Sequence, residues 1–258
     1  MLTLKRTLLM IGTLSASAAF ALAQGRGGPP GPPPTGKAGA PWDPTGYWVS
    51  LVTEDWRYRM ATPPKGDTEG VPLNPEGRKI AAAWDPAKDE GAGEQCKAYG
   101  VGGLMRLPTR LNINWQDNDT LKIETDAGTQ TRLLHFRGAQ AQGGDWQGLS
   151  LASWDRSASA ITFGLMGPSP VSPGASLRAV TTKMKSGYLR KNGVPYSENA
   201  TVTEYFDVLP PLATGETLLV VASEVVDPTY LANPFWTSTH FKKQKDSAGW
   251  NPAPCSSR

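Results

Sequence analysis

The chain is predicted to be mainly β, an antiparallel barrel with one short helix. Three observations carry this. From residue 110 onward, short stretches of alternating apolar and polar residues follow closely on one another, broken by turn formers such as the QDND of 116–119 and the DAG of 126–128. Helices between those strands, which parallel βαβ units need, are missing. A sheet with so many strands has edges to hide, and closing it on itself removes them. A two-sheet sandwich is the alternative.

In chain order, 48–60 alternates and reads as the first long strand. A helix is expected at 75–84, with Asn74 as its cap, Pro75 at its first position and Asp85-Pro86 as its stop. The glycine-rich 91–105 reads as loop. Strands are then expected at 110–115, 120–125, 129–136, 146–154, 161–165, 177–184, 200–208, 216–225 and 237–242, with a Pro/Gly/Ser loop at 167–176.

The first residues carry Lys5 and Arg6, an apolar stretch over 8–20, and Ala21-Leu22-Ala23, the pattern of a cleaved secretory signal over 1–23. Its loss takes the formal net charge from +3 to +1. A nearly neutral protein lacks the basic footprint of nucleic-acid binding. No other apolar run is long enough to span a membrane. Residues 24–43 form a Gly/Pro-rich linker expected to be disordered, 44–244 the barrel domain, and 245–258 a loose tail. A bacterial periplasmic or secreted location follows. In that oxidising setting Cys96 and Cys255 can pair or remain free thiols. Two Cys and two His set far apart give no zinc signature and point to no metal. No C-x-x-C-H, P-loop, dinucleotide fingerprint or H-E-x-x-H occurs, so no cofactor is implied.

On a pleated strand over 48–60, Trp48, Glu54, Trp56 and Tyr58 share one face, while Asp55, Arg57 and Arg59 share the other. With the aromatic face inward, Glu54 is a carboxylate among rings, its pKa raised unless a cation pairs with it. With the arginine face inward, the barrel offers an anion site. If the strand projects from the sheet, its charges are simply solvated. His135 (in RLLHFRG, beside Arg132) and His240 (in STHFKK) are structural residues or proton-transfer groups. Glu204 alternates with Phe206 and could meet Arg57 or Arg59 across the barrel. Tyr196 is expected on a turn at the rim.

Two resemblances add to this. Thr45-Gly46-Tyr47-Trp48 resembles the G-x-W opening of lipocalin and calycin barrels, which implies a lipocalin-like barrel with a basic residue of the last strand, here Lys242 or Lys243, over the Trp. Over about 96–243 the order of segments is similar to a group of exported bacterial proteins with a W-x-G-x-S step (146–150), a Ser-to-Phe segment (197–206) and a late D-P-x-x-x-x-x-P-[FW] motif (227–235). Many members have His where this chain has Leu149, so no role is carried through that position. The resemblance implies export and a β-rich fold, and no reaction.

The expected function is binding of a small lipophilic or weakly acidic molecule. Trp48, Trp56, Arg57, Tyr58, Arg59, Arg132, Tyr196 and His240 are its candidate contacts. The alternatives are a barrel isomerase, cyclase or hydrolase using Glu54, His135 and Glu204, and an envelope-associated interaction module.

Overall fold

The computed structural model describes residues 34–138, 144–156, 175–209 and 211–257. The predicted strand at 161–165 lies outside them. Nine strands close into a barrel: β1 (Gly46–Leu51), β2 (Arg110–Trp115), β3 (Thr120–Thr125), β4 (Thr131–His135), β5 (Leu149–Arg156), β6 (Ala175–Thr182), β9 (Thr201–Val208), β10 (Leu218–Val226) and β11 (Phe235–Lys243). A separate hairpin, β7 (Gly187–Arg190) and β8 (Val194–Tyr196), is inserted between β6 and β9. The sheet closes through β1, which pairs with both β2 and β11, so the sandwich alternative falls away.

An odd number of strands cannot close with every neighbour antiparallel. The exception is β4 with β5, parallel and registered only at Leu134–Ser150 and His135–Leu151. A parallel pair needs a crossover rather than a tight turn, and the long connection from β4 to β5 serves that purpose.

Alternation sorts the side chains. Trp48, Leu111, Ile113, Leu121, Ile123, Leu134, Leu177, Phe206, Leu219, Val221 and Phe241 form the main core within the barrel. A small barrel is just wide enough to be filled in this way. A second core joins the β7–β8 hairpin and α2 (Pro75–Ala83) to one end of the barrel, through Leu73, Ala81, Leu189, Val194, Tyr196 and Phe235.

The predicted helix is present. The Asn74 side chain accepts from the Gly77 amide at 2.9 Å and Pro75 starts the helix. Asp85-Pro86 does more than stop it. Asp85 caps the Ala87 amide at 3.1 Å, and Pro86 opens α3 (Pro86–Gly91). The glycine-rich stretch holds a 3₁₀ turn (Lys97–Tyr99) and α4 (Val101–Leu104). Its glycines admit a ring: a Cβ on Gly102 would come within 2.7 Å of Tyr196.

Three sequence expectations are corrected. The first strand ends at Leu51, not Met60. Its register with β2 ends at Val49 and with β11 at Leu51, and beyond that no neighbour is left to pair with. The chain turns over the barrel's end through Asp55, whose φ is 50°, into the single turn α1 (Trp56–Arg59). Residues 34–43 are not free linker: the Gly36 amide donates to Asp119 at 2.7 Å, and the Trp154 indole donates to the Gly36 carbonyl at 2.7 Å. The C-terminal tail is tied down by the Cys96–Cys255 disulfide and by the Ala253 amide, which donates to the Asp126 carbonyl at 2.9 Å.

Candidate functional site

The helical end of the barrel carries a cavity of about 300 Å³. Its wall comes from five segments: α1 and the residues after it (58–62), the 3₁₀ turn with α4, the approach to β2 (106–108), Ala127 in the turn after β3, and the end of β7 with the residue after it (189–191). Four cations line it, Arg59, Arg106, Arg190 and Lys191, and no carboxylate does. Tyr58, Tyr99, Met60, Leu107 and Leu189 supply rings and apolar surface.

The three arginines are each 6% exposed, and each is held differently. Arg59 is engaged through all three of its nitrogens: it donates to the Arg106 carbonyl at 2.8 Å, to Glu54 at 2.6 Å and to Ser50 at 3.3 Å. Arg106 donates from Nη2 to Asp55 at 2.6 Å, while its buried Nη1 has no partner among the described residues. Arg190 donates from Nη1 to the Glu69 carbonyl at 2.7 Å, lies 4.0 Å from the Tyr58 ring centre, and has a buried Nε with no partner among the described residues. Lys191 sits 5.6 Å from the Tyr99 ring centre.

Burial pushes both Arg59 and Arg190 below the usual guanidinium range, and the nearby Arg106 pushes the same way. Glu54 pulls Arg59 back up without cancelling the shift. The guanidiniums are thus desolvated and repel one another, and Glu54, Asp55 and Asp67 offset this only in part. A guanidinium with unused donors is a planar fork suited to a carboxylate or a phosphate.

No protein-family model, curated protein or solved structure matches this chain.

The sequence candidates divide into four groups. Tyr58 and Arg59 reach the cavity. Trp56 and Arg57 do not: Trp56 is 67% exposed, and Arg57 pairs outside with Asp67 at 2.8 Å. Tyr58 also donates its hydroxyl to Glu69 at 2.9 Å, which raises the phenol's pKa. Glu54 and His240 come together at the rim, Oε2 to Nδ1 3.3 Å. Partial burial pushes Glu54 up, but the Thr53 hydroxyl, Arg59 and His240 together hold it below its ordinary value. That reverses the rise a carboxylate alone among aromatics would show. Glu204 lies in the barrel interior on Arg132, not on Arg57 or Arg59. His135 alternates with buried Arg132 and Leu134 and so faces outward. Glu54, His135 and Glu204 thus share no cavity. Trp48 is core, with Lys243 5.1 Å from its ring centre, the basic partner expected on the last strand. Tyr196 is not at a rim: it is fully buried in β8, and burial pushes its phenol up.

Sequence reasoning missed Arg106 and Arg190. Their signal is present in LMRL and YLRK, where an arginine interrupts an apolar run. Buried arginine is uncommon unless paired, so such an interruption marks either an ion pair or a site.

Proposed function

We propose that this protein is an exported binding protein for a small organic acid, whose carboxylate is held in the arginine pocket at the helical end of the barrel. The observation that carries the reading is the lining itself: Arg59, Arg106, Arg190 and Lys191 border the cavity, and no carboxylate is among the residues that line it. The pocket's size, about 300 Å³, stands at the small end of the range for ligand sites. Its rings and aliphatic side chains favour an acid with an apolar body. A charge-assisted hydrogen bond contributes about 1.5–3 kcal/mol, so one carboxylate on this wall accounts for recognition without filling the barrel.

The test is calorimetry with benzoate, benzamide and hexanoate on the whole chain. The acids bind, the isosteric amide does not, and Arg190→Met weakens the acids at least tenfold while the fold, read by circular dichroism, persists. Equal binding of benzoate and benzamide, or acid binding indifferent to Arg190→Met, overturns the reading.

A further inference from the structure

The other end of the barrel is built differently. Residues 34–43 lie over it as a strap, and beside the strap opens a cleft of about 590 Å³, roughly twice the arginine pocket. Four rings run in an unbroken chain behind it: Trp42 to Trp154 at 5.2 Å, Trp154 to Phe136 at 5.5 Å, and Phe136 to Trp115 at 5.4 Å between centroids. The two end members, Trp42 and Trp115, are the ones that line the cleft. Trp154 and Phe136 brace them. Both strap-side indoles are fixed by hydrogen bonds, Trp42 to the Ala175 carbonyl and Trp154 to the Gly36 carbonyl, each at 2.7 Å. The Trp42 wall is thus held by its own hydrogen bond, and the Trp115 wall by its packing on Phe136.

Lys37, Asp43 and Asn114 line the same cleft. The Asn114 amide donates to Asn112 at 2.7 Å, and its carbonyl has no partner among the described residues. Asp43 accepts from the Thr45 amide at 2.9 Å. Partial burial raises its pKa, but Thr45, Lys243 and Lys37 outweigh that and keep it ionised. One cation and one anion leave the cleft without a net charge to select an ion. They offer donors and acceptors side by side, next to flat apolar faces.

This combination discriminates between guests. An apolar guest would strip water from the ammonium, the carboxylate and the amide and return no hydrogen bond to any of them. A charged acid would find its attraction to Lys37 cancelled by Asp43. A sugar ring fits both demands: its C–H face lies on an indole, and its hydroxyls both donate and accept. We propose that the strap end of the barrel is a carbohydrate-binding cleft, with Trp42 and Trp115 as stacking walls and Lys37, Asp43 and Asn114 reading hydroxyls. The proposal is independent of the arginine pocket.

The test is calorimetry and tryptophan fluorescence on the full chain with cellobiose, maltose and N,N′-diacetylchitobiose. At least one binds in the millimolar range or tighter and perturbs the indole emission. Asn114→Ala and Lys37→Met, both conservative for the fold, weaken it about tenfold each, and excess benzoate does not compete. No heat and no emission change with all three disaccharides overturns the proposal. So does binding that is unchanged in both variants, or that benzoate displaces.

Discussion

Arg132 and Glu204 meet across the barrel interior in a two-pronged ion pair, Nη1 to Oε1 3.0 Å and Nη2 to Oε2 2.5 Å, with both side chains 1% exposed. Their strands, β4 and β9, stand three places apart among the nine, so the pair braces two walls that share no backbone pairing. Two charges taken out of water cost several kcal/mol each, and removing one partner strands the other. Glu204→Gln is therefore expected to destabilise the fold by about 3–5 kcal/mol in urea melts. The double variant Arg132→Met/Glu204→Leu should recover most of that loss. A Glu204→Gln protein as stable as the parent would contradict the bracing role.

The disulfide closes a loop of 159 residues and holds the tail against the pocket wall, where the Ser256 amide donates to the Tyr99 hydroxyl at 3.3 Å. Cross-links that close long loops restrict the unfolded chain most. Cys255→Ser should lower stability by about 2–5 kcal/mol. Because Tyr99 lines the cavity, the same variant should also weaken acid binding, which calorimetry at a temperature where the variant stays folded will show.

Glu54 predicts an acid-side loss of stability. Its pKa is depressed in the folded state relative to 4.5. A depressed carboxylate contributes stability above its unfolded pKa, and that contribution disappears as the pH falls through the folded value. Stability should therefore drop as the pH is lowered below about 4.5. Glu54→Gln should be less stable at neutral pH and show a shallower acid slope. Thermal melts across the acid range measure both. A slope unchanged by the substitution would remove Glu54 from the account.

Lys243 over Trp48 is a further contact open to test. A cation over a desolvated indole face contributes roughly 0.5–2 kcal/mol. Lys243→Met keeps the aliphatic cover and deletes the charge, so a loss within that range isolates the cation's share. Trp48→Ala should cost about 3–5 kcal/mol, since it removes a fully buried ring from the centre of the core.

The strands from β2 to β3 were legible to the residue, because two-residue alternation and a short polar turn are both local. The first strand was overextended for a related reason: alternation persists through 48–60, yet a strand lasts only as long as its neighbours do, and no sequence pattern reports where β2 and β11 stop. The β7–β8 hairpin was hidden by its glycine and proline, which read as a turn, although Val194, Pro195 and Tyr196 are all buried there. The site was least legible. Arg59, Arg106 and Arg190 are drawn from three distant segments, and Glu54 meets His240 across 186 positions. What brings them together is closure of the barrel, a property of the whole chain.

The β4–β5 junction has a consequence for how this architecture can change. Inserting or deleting a β-hairpin alters the strand count by two, so it leaves an odd barrel odd. Lineages that grow or shrink by hairpins must therefore inherit the two-residue parallel join. Only the gain or loss of a lone strand, with its chain direction reversed, could heal it.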